Sequence, residues 1–214
     1  MIISRGRRFI FVHIPKTGGT SMAAALETRA MADDILIGDT PKARKRRRRH
    51  KDASSAGRLW KHSTLADIAG FVPPDVIESA LIFSLVRNPW DRAFSFYCWA
   101  QMQSFDHPMV TAAHELSFSG FLRRPSVTDA LQADPYARYV TDDAGVERAC
   151  LWIRLEHWRE DSQPLWDHLG FRLDLPHLNR SERTADYREA YSPEDAKIIE
   201  NACGPDIERF AYRY

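Results

Sequence analysis

The chain has 214 residues, of which 44% are hydrophobic and 28% are charged, and its formal net charge is +1. These proportions are those of ordinary globular proteins, and a chain of this length buries enough surface to fold without cross-links. Global disorder, collagen and coiled coil are therefore excluded. The sequence has no apolar run of about 18 residues, so no transmembrane helix is expected.

The cysteines and the first residues bear on the cellular compartment. The three cysteines are Cys98, Cys150 and Cys203. An odd number without paired spacing argues against a disulfide framework or a cysteine-rich zinc site, and a reducing compartment is the simplest interpretation. The apolar run after the first arginines is too short for a secretory signal. We therefore predict a cytoplasmic protein.

Three short apolar runs predict β-strands, because they are rich in β-branched and aromatic residues. They cover residues 9–12, 81–86 and 150–155. The first run leads through a glycine-containing turn into the helix-forming residues 22–27, and the second leads through Arg87-Asn88-Pro89 into a predicted helix. This alternation of strands and helices predicts right-handed βαβ units and a parallel sheet.

The later part of the chain is predicted to be helical. A helix from about Trp90 to Met102 follows the second strand, and another is expected over residues 157–169, ending at Gly170. Ser192 and Pro193 are typical of a capped helix start. We find no internal repeat, and we predict one domain over residues 1–214.

A basic run covers residues 42–51 and carries eight positive charges, so that the rest of the chain has a net charge of −7. The segment 31–60 around it is predicted to be an exposed basic insertion. The run is compatible with binding nucleic acid, with binding an anionic acceptor, or with a solvated loop. It contains no aromatic residue on which bases would stack, which makes nucleic acid the less favoured partner.

The turn after the first strand has the composition of a phosphate-binding loop. It reads Pro15-Lys16-Thr17-Gly18-Gly19-Thr20-Ser21. Glycines let backbone N–H groups close on an anion, and the N-terminus of the following helix favours negative charge. The lysine precedes the glycines, whereas it follows them in the common nucleotide loop. A capped strand–helix turn without a ligand is the alternative.

Two segments together resemble a known family. The sequence HIPKTGGTS after a strand resembles the 5′-phosphosulfate loop of sulfotransferases that use 3′-phosphoadenosine 5′-phosphosulfate (PAPS), and SLVRNPWDRAFSFY resembles their 3′-phosphate-binding segment. The carbohydrate sulfotransferase branch, with uronyl 2-O- and chondroitin-type enzymes and small bacterial members, looks most similar. Residues 153–156 and the closing IERFAYRY are weaker landmarks, and the family usually has glycine where Ala211 stands.

The resemblance implies a P-loop-like, three-layer α/β/α domain with a central, mainly parallel sheet. It also implies that residues 15–21 bind the 5′-phosphosulfate and that Lys16 stabilises the leaving oxygen. Arg87 is suited to bind the 3′-phosphate bidentately, and Ser95 lies about two helical turns further on. A surface ion pair for Arg87 and a backbone hydrogen bond for Ser95 are the alternatives. A third contact loop is expected at Arg180 and Ser181.

A general base is needed to activate an acceptor hydroxyl. We choose His62, because a histidine between the two nucleotide segments resembles the base of the uronyl 2-O branch, and imidazole titrates near neutral pH. His13 lies at a strand end and is interpreted as structural, while a carboxylate base remains open. The sequence contains no HExxH motif, and we predict no metal.

These observations predict a PAPS-dependent sulfotransferase that acts on a hydroxyl of a carbohydrate-like acceptor. Anionic groups of that acceptor are expected to contact Arg46, Arg47, Arg48 and Arg49. A P-loop kinase and a nonenzymatic nucleic-acid-binding module are the alternatives. Polysaccharide, lipid-linked sugar, glycolipid and small alcohol all stay open as acceptors, and the oligomeric state is open too.

Overall fold

The computed structural model describes residues 1–50, 53–175 and 186–214. By its internal contacts the chain divides into two units. Within the described residues, the first unit comprises 1–86 and 136–175, and the second comprises 87–135 and 186–214. The division does not decide the number of domains, so the single domain over residues 1–214 stays a prediction.

The first unit is built on a five-stranded sheet, in which the strands are arranged in the order β3-β1-β2-β4-β5. In chain order the strands are β1 (Ile2–Ser4), β2 (Phe9–Val12), β3 (Ile35–Leu36), β4 (Leu81–Val86) and β5 (Cys150–Arg154). Strands β2, β4 and β5 pair in parallel, whereas β1 is antiparallel to both of its neighbours.

The predicted strands are confirmed, since β2 and β4 have the predicted bounds and β5 ends one residue earlier. The sequence analysis missed β1 and β3, which contain only three and two residues. Runs this short have no periodicity to detect. Strand β3 also lies in the segment 31–60, where residues Ile35, Leu36 and Ala43 are buried, so this segment has both exposed and buried parts.

Both faces of the sheet are buried. Side chains of successive strand residues point to opposite faces, and all four residues of β2 are buried. On one face, Phe11 and Phe83 pack against helix α1 (Gly19–Thr28) and helix α10 (Gln163–Leu169). The predicted α/β class with a central sheet between two covering layers is therefore confirmed, with a sheet that is mixed because of β1.

The other helices of the first unit are short. They are α2 (Pro41–Arg46), α3 (Pro74–Ser79), α8 (Tyr136–Val140) and α9 (Trp158–Asp161). The helix predicted over 157–169 is divided into α9 and α10, and it ends at Gly170 in a left-handed cap as expected.

The second unit is helical in its described residues. Its helices are α4 (Pro89–Gln101), α5 (Pro108–Glu115), α6 (Phe118–Leu122), α7 (Pro125–Gln132), α11 (Pro193–Ala202) and α12 (Gly204–Phe210). A core of aromatic and small side chains, including Phe94, Tyr97 and Phe121, lies between them. The predicted start of α11 is confirmed, with Ser192 and Asp195 forming a reciprocal capping box.

No helix in the described ranges has both the length and the apolar character that crossing a bilayer would require.

Candidate active site

The loop predicted to bind phosphate connects β2 with α1. Residues 15–18 form a turn, and the helix begins at Gly19. The buried Thr17 hydroxyl donates to the carbonyl oxygen of Ile14 at 3.0 Å, while the amides of Ser21 and Met22 donate to the carbonyl of Gly18. The turn is therefore held by its own hydrogen bonds.

Two residues of this loop adopt left-handed backbone conformations. Gly18 has φ +85°, and Lys16 has φ +67°. Glycine adopts such angles at no steric cost, whereas a residue with a Cβ is strained by about 1–2 kcal/mol. Strain at a non-glycine residue is often found at functional sites, and here it falls on the one lysine of the loop.

The two glycines of the loop lie where larger residues would collide with neighbours. A Cβ on Gly19 would lie 2.0 Å from Cδ2 of His13, and one on Gly18 would lie 3.2 Å from a methyl group of Leu155. The loop is thus packed between the residue that follows β2 and a residue that follows β5. Both contacts fix the direction in which the first amides of α1 point.

The N-terminus of α1 is suited to an anion. Gly18 occupies the N-cap and has no side chain to cap the helix. The first N–H groups of any helix have no partner within the helix, and they carry a partial positive charge. The loop therefore presents backbone donors at a helix start together with the Lys16 side chain.

His62 lies beside this loop. Its Nδ1 is 2.8 Å from the carbonyl oxygen of His13, and the two imidazole rings meet edge to face at 4.6 Å between centroids. A carbonyl oxygen only accepts hydrogen bonds, so Nδ1 carries the proton. In the neutral imidazole the lone pair then lies on Nε2, which is the nitrogen able to accept a proton.

The turn that carries His62 is rigidly built. The buried Ser63 hydroxyl accepts from the Trp60 amide, and its single hydrogen lies within reach of the carbonyl oxygens of Arg58 and Trp60, all at 2.9 Å. Thr64 and Asp67 cap the next turn reciprocally. The position of His62 is therefore determined by a closed set of local hydrogen bonds in addition to its bond to His13.

His13 is buried and stacks on Phe11. Burial lowers the pKa of the His13 imidazole well below its usual value, and the charges of His62, the Met1 amine and Lys61 lower it further. An imidazole that resists protonation in this way is a poor proton acceptor. The physical environment thus agrees with the interpretation of His13 as structural.

Arg87 and Ser95 lie in the second unit. Arg87 forms an ion pair with Asp91, with its Nε 2.7 Å from Oδ2. An ion pair at Arg87 is therefore present, but it is largely buried and is not the surface ion pair given as the alternative. Ser95 is buried in α4, two turns after the strand end. Binding of a 3′-phosphate by these two residues stays a prediction.

The arginines of the basic run differ from one another. Arg46 donates to the carbonyl oxygens of Met31 and Asp34, and Arg49 donates to that of Ala32. Arg47 and Arg48 are exposed. The four side chains predicted to bind the acceptor are thus of two kinds, because two of them hold the loop after α1.

Two predicted contacts and the metal question need separate mention. Arg180 and Ser181 lie outside the described residues. Within the ranges that the structure describes, no three His, Cys, Asp or Glu side chains come together in a way that would hold a metal ion. The absence of a catalytic metal stays a prediction.

Sequence reasoning did not anticipate several supporting residues. Ser63 organises the turn of His62, Leu155 packs on Gly18, and Asp91 pairs with Arg87. Asp91 had a local signal, because acidic and basic residues four apart on a helix are neighbours. The contact of His13 with Gly19 joins a strand end to a helix start and had no such signal.

No protein-family model matches the chain, and no curated protein matches it in sequence. Among solved structures, the crystal structure of mouse sulfotransferase SULT7A1 complexed with PAP is similar, with a TM-score of 0.47 and 15% sequence identity. The similarity covers 96% of this chain and 85% of the mouse chain. At this identity and TM-score the likeness does not by itself establish a family.

Proposed function

We propose that the chain is a sulfotransferase that moves a sulfuryl group from PAPS to a hydroxyl of a carbohydrate-like acceptor. The observation that carries the proposal is the position of His62 beside the phosphate loop, where His13 contacts both His62 and Gly19. A proton acceptor and an anion site next to one another are what group transfer from a phosphosulfate requires.

The donor's 5′-phosphosulfate is proposed to bind to the loop of residues 15–21. The amides at the start of α1 would donate to its oxygens, and the hydroxyls of Thr20 and Ser21 are further donors in the same loop. The Lys16 ammonium would face the oxygen that links sulfur to phosphorus, where negative charge develops.

The 3′-phosphate is proposed to bind to Arg87 and Ser95. Arg87 directly follows Val86, the last residue of β4, and β4 is the parallel neighbour of β2 in the sheet. Asp91 Oδ2 lies 2.7 Å from Nε and 2.6 Å from Nη2 of Arg87, so the 3′-phosphate would share the five N–H donors of the guanidinium with this carboxylate. Arg180 and Ser181 are proposed as further contacts to the nucleotide.

The reaction is an in-line displacement at sulfur. The acceptor oxygen forms a bond to sulfur while the bond from sulfur to the 5′-phosphate oxygen breaks, and the acceptor's hydroxyl proton moves to Nε2 of His62. The products are the sulfate ester and 3′,5′-bisphosphoadenosine. Lys16 offsets the charge on the departing phosphate oxygen, so that positioning and electrostatics supply most of the rate acceleration.

The acceptor is proposed to be an anionic saccharide, as in the uronyl 2-O and chondroitin-type branch. The exposed Arg47 and Arg48 support an anionic partner, while Arg46 and Arg49 would contribute by shaping the segment that carries them.

A titration with three ligands tests the proposed function against its alternatives. We expect tight binding of 3′,5′-bisphosphoadenosine in calorimetry, weaker binding of ATP with Mg²⁺, and no comparable binding of a single-stranded RNA. Preference for ATP with Mg²⁺ would favour a kinase, and preference for RNA would favour a nucleic-acid-binding module.

A further inference from the structure

We infer that the turn of residues 58–62 forms the acceptor-binding subsite, where the Trp60 ring stacks on a sugar ring and Arg58 pairs with its anionic group. This inference rests on the proposed function and deepens it. The ligand class that it names is an oligosaccharide whose sugars carry carboxylate or sulfate groups.

Trp60 is more exposed than a tryptophan with a purely structural role would be. It leaves 40% of its surface accessible to solvent, although burying so large a ring against the core would stabilise the fold. Arg58 is also exposed, and its guanidinium carbon lies 5.4 Å from the centre of the Trp60 ring. Since Arg58 lies over one face of the Trp60 ring, the apolar face of an acidic sugar would stack on the other face, and the anionic group of the sugar would pair with Arg58.

The turn holds Trp60 in place before any ligand arrives. The Ser63 hydroxyl bonds to the amide and the carbonyl of Trp60 and to the carbonyl of Arg58. A binding surface that is already ordered loses little conformational entropy when the ligand binds. The backbone that carries the exposed ring is thus preorganised.

The subsite lies next to the group proposed to take the proton. The Trp60 ring meets the His62 ring edge to face at 4.9 Å between centroids. A sugar that stacks on Trp60 would therefore bring its hydroxyls close to His62. The side chain that binds the acceptor and the side chain that activates it would be two residues apart on one turn.

Positive charge extends from this turn toward the basic run. Lys61 pairs with Asp39 at 3.1 Å. The hydrogen bond from Lys61 lowers the pKa of Asp39, and the charges of Arg44 and Arg47 lower it further. Arg47 of the basic run therefore lies near enough to Asp39 to affect its ionisation, and Asp39 in turn pairs with Lys61, the residue before His62.

This arrangement favours a saccharide over a single-stranded nucleic acid. Proteins that bind single strands without sequence preference stack successive bases on several aromatic side chains. Here one exposed tryptophan stands beside a proposed proton acceptor, and the ten residues of the basic run include no Phe, Tyr or Trp. Nucleic acid is therefore the competing outcome of the test.

The test measures affinity by calorimetry on the full chain saturated with 3′,5′-bisphosphoadenosine, so that no turnover is needed. The probes are a hexasaccharide that alternates glucuronate with N-acetylhexosamine, its carboxyl-reduced neutral analogue, and a decamer of uridylate. The variants are Trp60→Ala, Trp60→Phe and Arg58→Ala. Phe171→Ala is the matched control, because Phe171 also has arginines over its ring, Arg7 and Arg29, in the same unit.

We expect Trp60→Ala to weaken both saccharides about tenfold, because tryptophan and arginine are the usual anchors of binding surfaces. Trp60→Phe should retain most of the affinity. Arg58→Ala should weaken only the charged hexasaccharide, and Phe171→Ala should change neither. Affinity for 3′,5′-bisphosphoadenosine should stay the same in every variant.

Three results would overturn the inference. They are a wild-type chain that binds 3′,5′-bisphosphoadenosine but neither saccharide, a Trp60→Ala variant with unchanged saccharide affinity, and tighter binding of the uridylate decamer that depends on Trp60. A wild-type chain that does not bind 3′,5′-bisphosphoadenosine contradicts the proposed function instead, and saccharide affinity measured without nucleotide then decides the subsite separately.

Discussion

The turn of residues 58–63 and the basic run both carry cationic side chains, yet the structure uses them differently. In the turn, buried hydrogen bonds from Ser63 and the bond to His13 fix one histidine beside the phosphate loop. In the basic run, Arg46 and the exposed Arg49 bond to backbone carbonyls, and Arg47 and Arg48 are also exposed. A histidine that is fixed by hydrogen bonds is therefore a better candidate for the proposed chemistry than a dense run of charge.

The largest effect is expected at the proposed base. His62→Ala should lower turnover by about 10²–10⁴-fold, the usual contribution of a general base, while affinity for 3′,5′-bisphosphoadenosine stays unchanged. Because a protonated imidazole accepts no proton, the loss of rate of the wild type at acidic pH should be absent in the variant. Steady-state kinetics with PAPS measure turnover and its pH dependence, and calorimetry on the same variant measures the affinity for 3′,5′-bisphosphoadenosine. Near-normal turnover would move the base to a carboxylate.

Replacing Lys16, which has a left-handed backbone in the loop proposed to bind phosphate, should change both turnover and stability. Lys16→Gly should lower turnover by about 10²-fold or more, since one donor aimed at developing charge is worth that much. The same change should raise the melting temperature by about 2–4 °C, because glycine removes roughly 1 kcal/mol of left-handed strain. Turnover assays and thermal unfolding measure the two effects.

Ala211→Gly is the matched control for Lys16→Gly, because Ala211 has φ +51° at the end of α12. It should give a similar rise in melting temperature without loss of turnover. A rise in stability at Ala211 alone would show that the Lys16 backbone is not strained.

Substitutions at His13 and Gly19, which are in contact, test whether packing between them positions the loop proposed to bind phosphate. Gly19→Ala would force the His13 ring to move, and affinity for 3′,5′-bisphosphoadenosine should fall at least about tenfold, since one charge-assisted hydrogen bond is worth about 1.5–3 kcal/mol. The double variant with His13→Ala should recover part of this loss. Gly204→Ala is the control, because a Cβ there meets no atom within 4 Å, and calorimetry on the three variants decides.

The smallest effects are expected in the basic run, where replacing Arg47 and Arg48 should have other consequences than replacing Arg46 and Arg49. Replacing Arg47 and Arg48 with serine should raise the KM of an anionic acceptor several-fold at low salt and flatten its salt dependence, with melting temperature unchanged. Replacing Arg46 and Arg49 should lower the melting temperature, because carbonyl oxygens of residues 31–34 lose their donors. If the first pair leaves KM unchanged, the basic run is a solvated segment.

Some parts of the fold could be predicted from sequence because their signals are local. The apolar runs of β2, β4 and β5 gave the strands, and Ser192 with Pro193 gave the start of α11. Strands β1 and β3 have too few residues for a pattern, and they are defined by pairing, β1 with both β2 and β3 and β3 with β1. Such pairing depends on contacts that a single sequence does not display.

The residues of the candidate site could be predicted from the sequence, but their spatial arrangement could be predicted only in part. Lys16, Gly18 and Gly19 could be singled out because their spacing after a strand has a physical meaning. The bond from His62 to His13 joins residues 49 positions apart, and nothing in the sequence around either residue indicates it. Likewise, which arginines of the basic run bond to backbone depends on carbonyl oxygens of residues 31–34, and the basic run itself does not indicate this.

The most direct test of the central claim compares two nucleotides that differ in one phosphate. We expect the wild-type chain to bind 3′,5′-bisphosphoadenosine at least about tenfold more tightly than AMP in calorimetry, because charge-assisted bonds to the 3′-phosphate are worth about 1.5–3 kcal/mol. Arg87→Ala should remove most of this preference and leave AMP affinity unchanged. Equal affinity of the wild-type chain for the two nucleotides would contradict the account.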